Sequence, residues 1–400
     1  MSHFLSRFFY FGMIVLLGSC AGKNAFISKS ILKDEYLKNI ASNPDHEVQI
    51  IYTQINKSDN TFKSFTYNVN NNKYFYPAST VKMPVAILAL QKLNEINSNG
   101  TDVKRSDDML TAAFKAKQTP SFTDTTTTSG KPNVERFIEK IFAVSDNNAY
   151  NRLYELLGQD YINQTLRAKG VFTTSVINHR LNIIGLDAED NRYTNNIRFF
   201  RDNKILYDKP EEYAKNIWRH QATDAIKGAG YINPNDSLVN QPFDFTGKNF
   251  YTLKDMEGTL QRIIFPDFFP PAQRFDIKEA DYTFLKKCMS DLPKVYSFYK
   301  NDPAYYDSYV KFFMFGDSKE SMPDDIKIYN KVGTAYGYLI DCAYIENAAQ
   351  NIGFFLTAVI HVNKNKIYND GKYEYNEIGL PFMAKLGRAF YEFELQKMVK

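Results

Sequence analysis

Ser79 and Lys82 stand three residues apart in Tyr76-Pro77-Ala78-Ser79-Thr80-Val81-Lys82-Met83-Pro84, and an apolar run from Val85 to Leu90 follows. If a helix begins near Ser79, the two side chains share one face, one turn apart. A serine hydroxyl is a poor nucleophile until a base takes its proton, and a lysine stripped of water has its pKa lowered enough to act as that base. The N-terminus of a helix adds N–H groups and a partial positive charge that favour a developing anion. Lys82 is the only charge between Lys73 and Lys92, so it is embedded in apolar sequence. The ordinary alternative is a serine N-cap followed by an unremarked lysine. Against it, Pro84 removes a backbone donor close to the helix start, which a purely structural helix gains nothing from. Two more short motifs follow in order: Ser145-Asp146-Asn147, and Lys331-Val332-Gly333-Thr334. Taken singly they read as a helix N-cap and a strand ending at a glycine turn.

The elements that must position these residues follow from periodicity. Residues 46–55 and 61–69 alternate as strands around a turn at 56–60, so a hairpin precedes the serine helix at 80–95. Residues 106–129 are polar and threonine-rich and read as a loop. Helical periodicity returns at 134–142, 147–157 and 160–172, which puts Ser145 in a helix–helix connection. Residues 173–196 hold no period and read as a long loop, the kind that is usually functional inside a compact domain. Residues 197–246 carry Pro210, Gly228, Gly230, Pro234 and Pro242 and read as an insertion with one helix at 210–227. Helices at 252–264 and 278–292 precede three strand-like runs at 326–332, 338–346 and 353–362, and a last helix at 380–398. The expected fold is α+β: an antiparallel sheet assembled from both chain ends (46–78 and 326–400), packed helices, and a mostly helical subdomain (79–325). The ligand cleft belongs between the two.

In this order and in these contexts the three motifs are specific. The chain resembles the penicillin-recognising serine hydrolases, and class A β-lactamases in particular, whose motif set is Ser-x-x-Lys, Ser-Asp-Asn and Lys-Thr-Gly. The resemblance covers about residues 46–400, with a longer second spacing that the insertion largely explains. It implies that Ser79 is the acyl-accepting nucleophile, that Lys82 takes or relays its proton, and that Ser145 passes the proton toward the leaving nitrogen. Asn147 would bond Lys82 and the substrate's amide, and Lys331 would attract a substrate carboxylate. The N–H groups of Ser79 and Thr334 would form the oxyanion hole beside the small Gly333. Two departures stand out. Val332 replaces the hydroxyl residue of the third motif, with Thr334 one possible compensation. The family's Glu-x-x-Leu-Asn loop is matched by Asn178-His179-Arg180-Leu181-Asn182, with Asn178 where the deacylating glutamate belongs. A neutral amide cannot be a general base; His179, Asp187 and Glu189 are the nearby groups that could. A Ser-His-Asp triad built on one of the five histidines lacks the Gly-x-Ser-x-Gly elbow.

Composition adds limits. The chain has 400 residues, 44% hydrophobic and 15% aromatic, enough for a large folded domain. Its 49 basic and 45 acidic residues form no long basic run, which gives no argument for nucleic acid. Residues 1–19 have the basic start and apolar core of a secretory signal, too short to span a bilayer. Leu17-Gly18-Ser19-Cys20 resembles a bacterial lipobox, which implies lipidation of Cys20, a tether over residues 20–45, and a place in the cell envelope on the periplasmic side or outer membrane. Cys288 and Cys342 read as buried free thiols without metal-ligand spacing. The expected partner is a small-molecule or peptidoglycan-like amide substrate, turned over by a monomer without cofactor or metal. A D,D-peptidase-like enzyme with slow deacylation and a non-catalytic envelope lipoprotein on the same fold are the alternatives.

Overall fold

The computed structural model describes residues 25–115, 117–183 and 185–398. The leader and Cys20 lie outside the described residues. Five antiparallel strands form the central sheet: β1 (Gln49–Asn56), β2 (Thr61–Tyr67), β3 (Lys327–Ala335), β4 (Tyr338–Asn347) and β5 (Ile352–His361). Their spatial order is β3-β4-β5-β1-β2, so the two chain ends do meet in one sheet, Gln49 pairing with Val359. Alternation explains why both faces are apolar. Ile50 and Tyr52 enter one core, and Ile51 enters the other.

The first core lies under α1 (Glu35–Ser42) and the C-terminal helix that ends at Met398. Residues 25–42 therefore correct the expected tether. Ile27, Ile31, Leu32 and Leu37 are buried there, and Asp34 caps α1 through Leu37 N–H. Four apolar residues at helical spacing have a sheet face to cover, which a free tether would leave in water.

The second core surrounds α2 (Lys82–Ser98), which is buried from Lys82 through Gln91. Around it pack α3 (Val134–Val144), α4 (Asn147–Ala168), α5 (Leu253–Ile264) and α6 (Glu279–Ser290). The expected helices at 147–157 and 160–172 are the two parts of α4, broken at Gly158, where φ is 73°. The loop at 106–129 contains a short strand, Asp108–Thr111, paired with Ile197–Arg201. No helix forms at 210–227. The insertion folds as short strands such as Lys204–Lys209, Ile226–Lys227 and Gly230–Ile232. Ile217 is 70% exposed, so the segment has no apolar stripe to bury as a helix. Among the described residues no helix is long and apolar enough to cross a membrane.

Glu257, on α5, is buried under the sheet. It accepts hydrogen bonds from Thr53 Oγ1 at 2.5 Å and Thr357 Oγ1 at 2.9 Å. Burial pushes its pKa from 4.5 up to about 7, against the two hydroxyls. A carboxyl with a raised folded-state pKa keeps its proton in the native state while the unfolded chain loses it. Stability therefore falls as pH rises from about 4.5 through 7. Glu257→Gln should unfold like the wild type at pH 5 and be more stable by on the order of 3 kcal/mol above pH 8, measured by urea titration. Equal stability at both pH values would show that the site relaxes around the charge.

Candidate active site

Ser79 lies in a 3₁₀ turn, Ala78–Val81, that leads into α2. Thr80 ties the turn down through its hydroxyl to Pro77 O at 2.7 Å. Ala78 has φ of 48°, a left-handed conformation that a residue with a Cβ adopts only at some cost. Ser79 is half-exposed at the end of this turn, and Lys82 is the first residue of α2 with no exposed surface.

The Lys82 ammonium reaches neutral oxygens only. It bonds Ser145 O, lies 3.2 Å from Ser145 Oγ, and donates to Asn147 Oδ1 at 2.7 Å. Burial holds its pKa well below 10.5, Lys331 pushes the same way, and Asp146 opposes. Ser145 itself ends α3 with φ of 59°. Asp146 caps α4 through Ala149 N–H at 2.7 Å, and Asn147 is the first residue of α4. The ordinary and the chemical meanings of this motif thus fall on different residues. Asp146 does the capping, and the residues on either side of it face Lys82.

Lys331 comes from the edge strand β3. Its Nζ donates to Ser145 Oγ at 2.8 Å and to Val332 O at 2.9 Å. Burial lowers its pKa to about 7, with Asp341 opposing and Lys311 reinforcing. Ser145 Oγ is therefore shared by two lysines whose charges are both disfavoured. Gly333 packs against the serine turn. A Cβ there would lie 2.8 Å from Pro77 O and 3.1 Å from Ser79 N, so a side chain would crowd the N–H expected to bind an oxyanion. Thr334 follows on the same strand and is exposed. Val332 points the other way, into the core with Leu339 and Ile328, which accounts for an apolar residue at that motif position.

The loop matched to the deacylating motif does not converge. Asn178 is turned toward the insertion and donates to Trp218 O at 2.9 Å and Gly247 O at 3.2 Å. Asn182 is exposed, with φ of 54°. Glu189 pairs with Arg192 at 3.0 Å and Asp187 is exposed. Only His179 approaches, stacked 6.2 Å from Tyr76, which precedes Ser79 by three residues. Its Nδ1 faces Arg180 O at 2.6 Å, and burial lowers its pKa to about 4, so the ring is neutral near pH 7.

Sequence patterns missed what supports this site. Asn249 holds the loop, its Oδ1 accepting the N–H of Asn178 at 2.8 Å and of His179 at 3.2 Å. Behind Lys331, Lys311 donates to Asn330 Oδ1 at 2.8 Å, and Asn330 donates to Asp341 at 2.8 Å. Register brings Asp341 opposite Val332. The one available signal was a buried-type strand carrying a carboxylate, which demands a partner.

A helix-covered antiparallel sheet with a serine and two buried lysines at its edge is the build of a serine-hydrolase-like protein. The sequence model of the beta-lactamase enzyme family matches residues 32–274, and the chain belongs to that family. The matched span contains Ser79, Lys82, Ser145 and Asn147. Among solved structures, the TLA-1 extended-spectrum beta-lactamase aligns with a TM-score of 0.51 at 12% identity, covering 94% of this chain and 99% of that one. The L2 structure complexed with relebactam gives 0.50 at 13%, covering 94% and 100%. A beta-lactamase from Sphaerobacter thermophilus gives 0.48 at 14%, covering 94% and 97%. At such identities the likeness to the first two is one of fold. No curated protein matches the chain.

Proposed function

We propose that the protein is an acyl-transferring serine hydrolase of amide bonds, with Ser79 as nucleophile. One observation carries this: Lys82 is wholly buried, and every hydrogen bond it makes is to a neutral oxygen. A lysine so placed is neutral at little cost. Neutral Lys82 donates two N–H bonds, to Ser145 O and Asn147 Oδ1, and keeps a lone pair. In acylation, Ser79 Oγ bonds to the substrate's carbonyl carbon and its proton passes to Lys82. The C–N bond then breaks, and the proton reaches the leaving nitrogen through Ser145 Oγ. Lys331 keeps Ser145 oriented and offers positive charge to a substrate carboxylate. Water hydrolyses the Ser79 ester to release the acid and restore the hydroxyl.

The orientation of Asn178 favours the slow-deacylating form of this function. Its amide faces carbonyl oxygens of the insertion and its border, and Asp187 and Glu189 are exposed to water, Glu189 paired with Arg192. A base that cannot reach the water leaves the ester standing. Incubation with a penicillin should therefore give a covalent adduct that persists for many turnover times, followed by intact mass. Rapid drug loss without an accumulated adduct would mean efficient deacylation and a β-lactamase proper. Neither drug loss nor adduct would favour a different ester or amide substrate, or a non-catalytic envelope role.

A further inference from the structure

A cavity of about 1070 Å³ opens beside the serine turn, between the 178–192 loop and the insertion. Ser79, Lys82, Ser145 and Lys331 do not line it. Tyr76 and Tyr336 do, their rings 4.9 Å apart edge to face, and they stand at the border with the site. Tyr76 leads into the serine turn, and Tyr336 follows the motif strand that carries Lys331 and Gly333.

The polar groups of this cavity are unevenly solvated. Its carboxylates, Asp187, Glu189, Asp236 and Asp244, are all exposed at the rim, where water and salt screen them. The inner wall is cationic and dry. Arg180 is 4% exposed and pairs through Nε with the buried Glu155 at 3.0 Å, while its Nη1 has no partner; Lys248 is half-buried beside His179 with no carboxylate in ion-pair range among the described residues. Next to them Asn178 Oδ1 and His179 Nε2 are buried acceptors without donors. Buried polar atoms without partners are rare and costly, and a ligand removes the cost. The missing complement is an anion for Lys248, an acceptor for Arg180 Nη1, and N–H donors for Asn178 and His179.

We propose that this cavity is the acyl-side subsite of the serine centre and takes an acidic acyl-peptide, whose carboxylate pairs with Lys248 and accepts from Arg180 Nη1 and whose amide N–H groups meet Asn178 and His179. The proposal rests on Ser79 being the acyl acceptor. It gives the insertion a role, since Trp218, Gly247 and Lys248 come from it or its border. A compact acyl group would leave the wall unpaired. A site built for a polar group rejects the analogue that lacks it.

Trp218 is the chain's single tryptophan and lines this cavity, so its fluorescence reports occupancy without any chemistry at Ser79. The test uses the purified full chain carrying Ser79→Ala. It is titrated with N-acetyl-glutamyl-glycine amide and with N-acetyl-glutaminyl-glycine amide, which differ only in the side-chain carboxylate. The acidic peptide should bind at least about tenfold more tightly, and Lys248→Met should reduce that preference to less than about twofold. Lys248→Arg should restore it, which separates lost charge from a damaged fold. Equal binding of the two peptides, no Trp218 response to either, or a preference that survives Lys248→Met overturns the proposal. Failure of penicillin to label Ser79 would overturn the acyl-enzyme and leave this fluorescence result standing.

Discussion

Replacing Ser79 with alanine should abolish the covalent adduct and lower acylation at least about a thousandfold, the scale on which a nucleophile's loss is felt. No neighbour can stand in for it. Thr80 is buried with its hydroxyl committed to Pro77 O, and Ser145 Oγ is held between Lys82 and Lys331. Ser79 is half-exposed, so the variant should unfold within about 0.5 kcal/mol of the wild type. Intact mass and peptide mapping after exposure to a penicillin read the result. An adduct on another residue, or one that survives in the variant, would remove Ser79 from the mechanism.

The second large effect concerns the two lysines. Lys82→Met should slow acylation by about a hundredfold to ten-thousandfold, the range of a lost general base, while leaving stability unchanged or raised. The methionine leaves Ser145 O and Asn147 Oδ1 without a donor, but it also takes a buried amine out of the core, and the two effects oppose. The wild-type pH profile gives the same assignment independently. Lys82 must be neutral to accept a proton, so acylation rises with pH as this lysine loses its charge. Lys331 must be charged to attract a carboxylate, so acylation falls as pH passes about 7. Both lysines contact Ser145, so the two limbs belong to the pair. Lys82→Met should lack the rising limb and Lys331→Met the falling one, measured as second-order acylation rate against pH. A profile unchanged by either variant would place the controlling proton elsewhere.

Much of this centre was readable from sequence because its information is local. Ser79 and Lys82 are one turn apart, Ser145 and Asn147 flank a capping aspartate, and Lys331 sits beside a glycine that only a close approach explains. The five sheet strands were readable too, since Ile50, Ile51 and Tyr52 alternate between two cores. Side-chain direction on a loop was not. Spacing brought Asn178, His179 and Asn182 into one motif, and the fold sends them three ways, because Trp218 O and Gly247 O capture the first. The insertion was misread for a similar reason. Its strands are two to six residues long and held by distant partners, such as Ile367 pairing with Gly230. The packing of residues 25–42 was missed because their apolar side chains have meaning only against a sheet face made about 300 residues later.

That closure of the sheet by both ends also sets a schedule. Gln49 waits for Val359 before its strand has a neighbour on that side. At the usual 5–20 residues per second, ribosomal synthesis of the intervening chain takes roughly 15–60 seconds. For most of that interval the nascent polypeptide carries the serine, the first lysine and the Ser-Asp-Asn motif, yet no edge strand with Lys331. The site cannot assemble until Lys331 and the two strands that join its strand to the sheet have been made. Until then the serine, the first lysine and the Ser-Asp-Asn motif are one half of a site whose other half has not been synthesised.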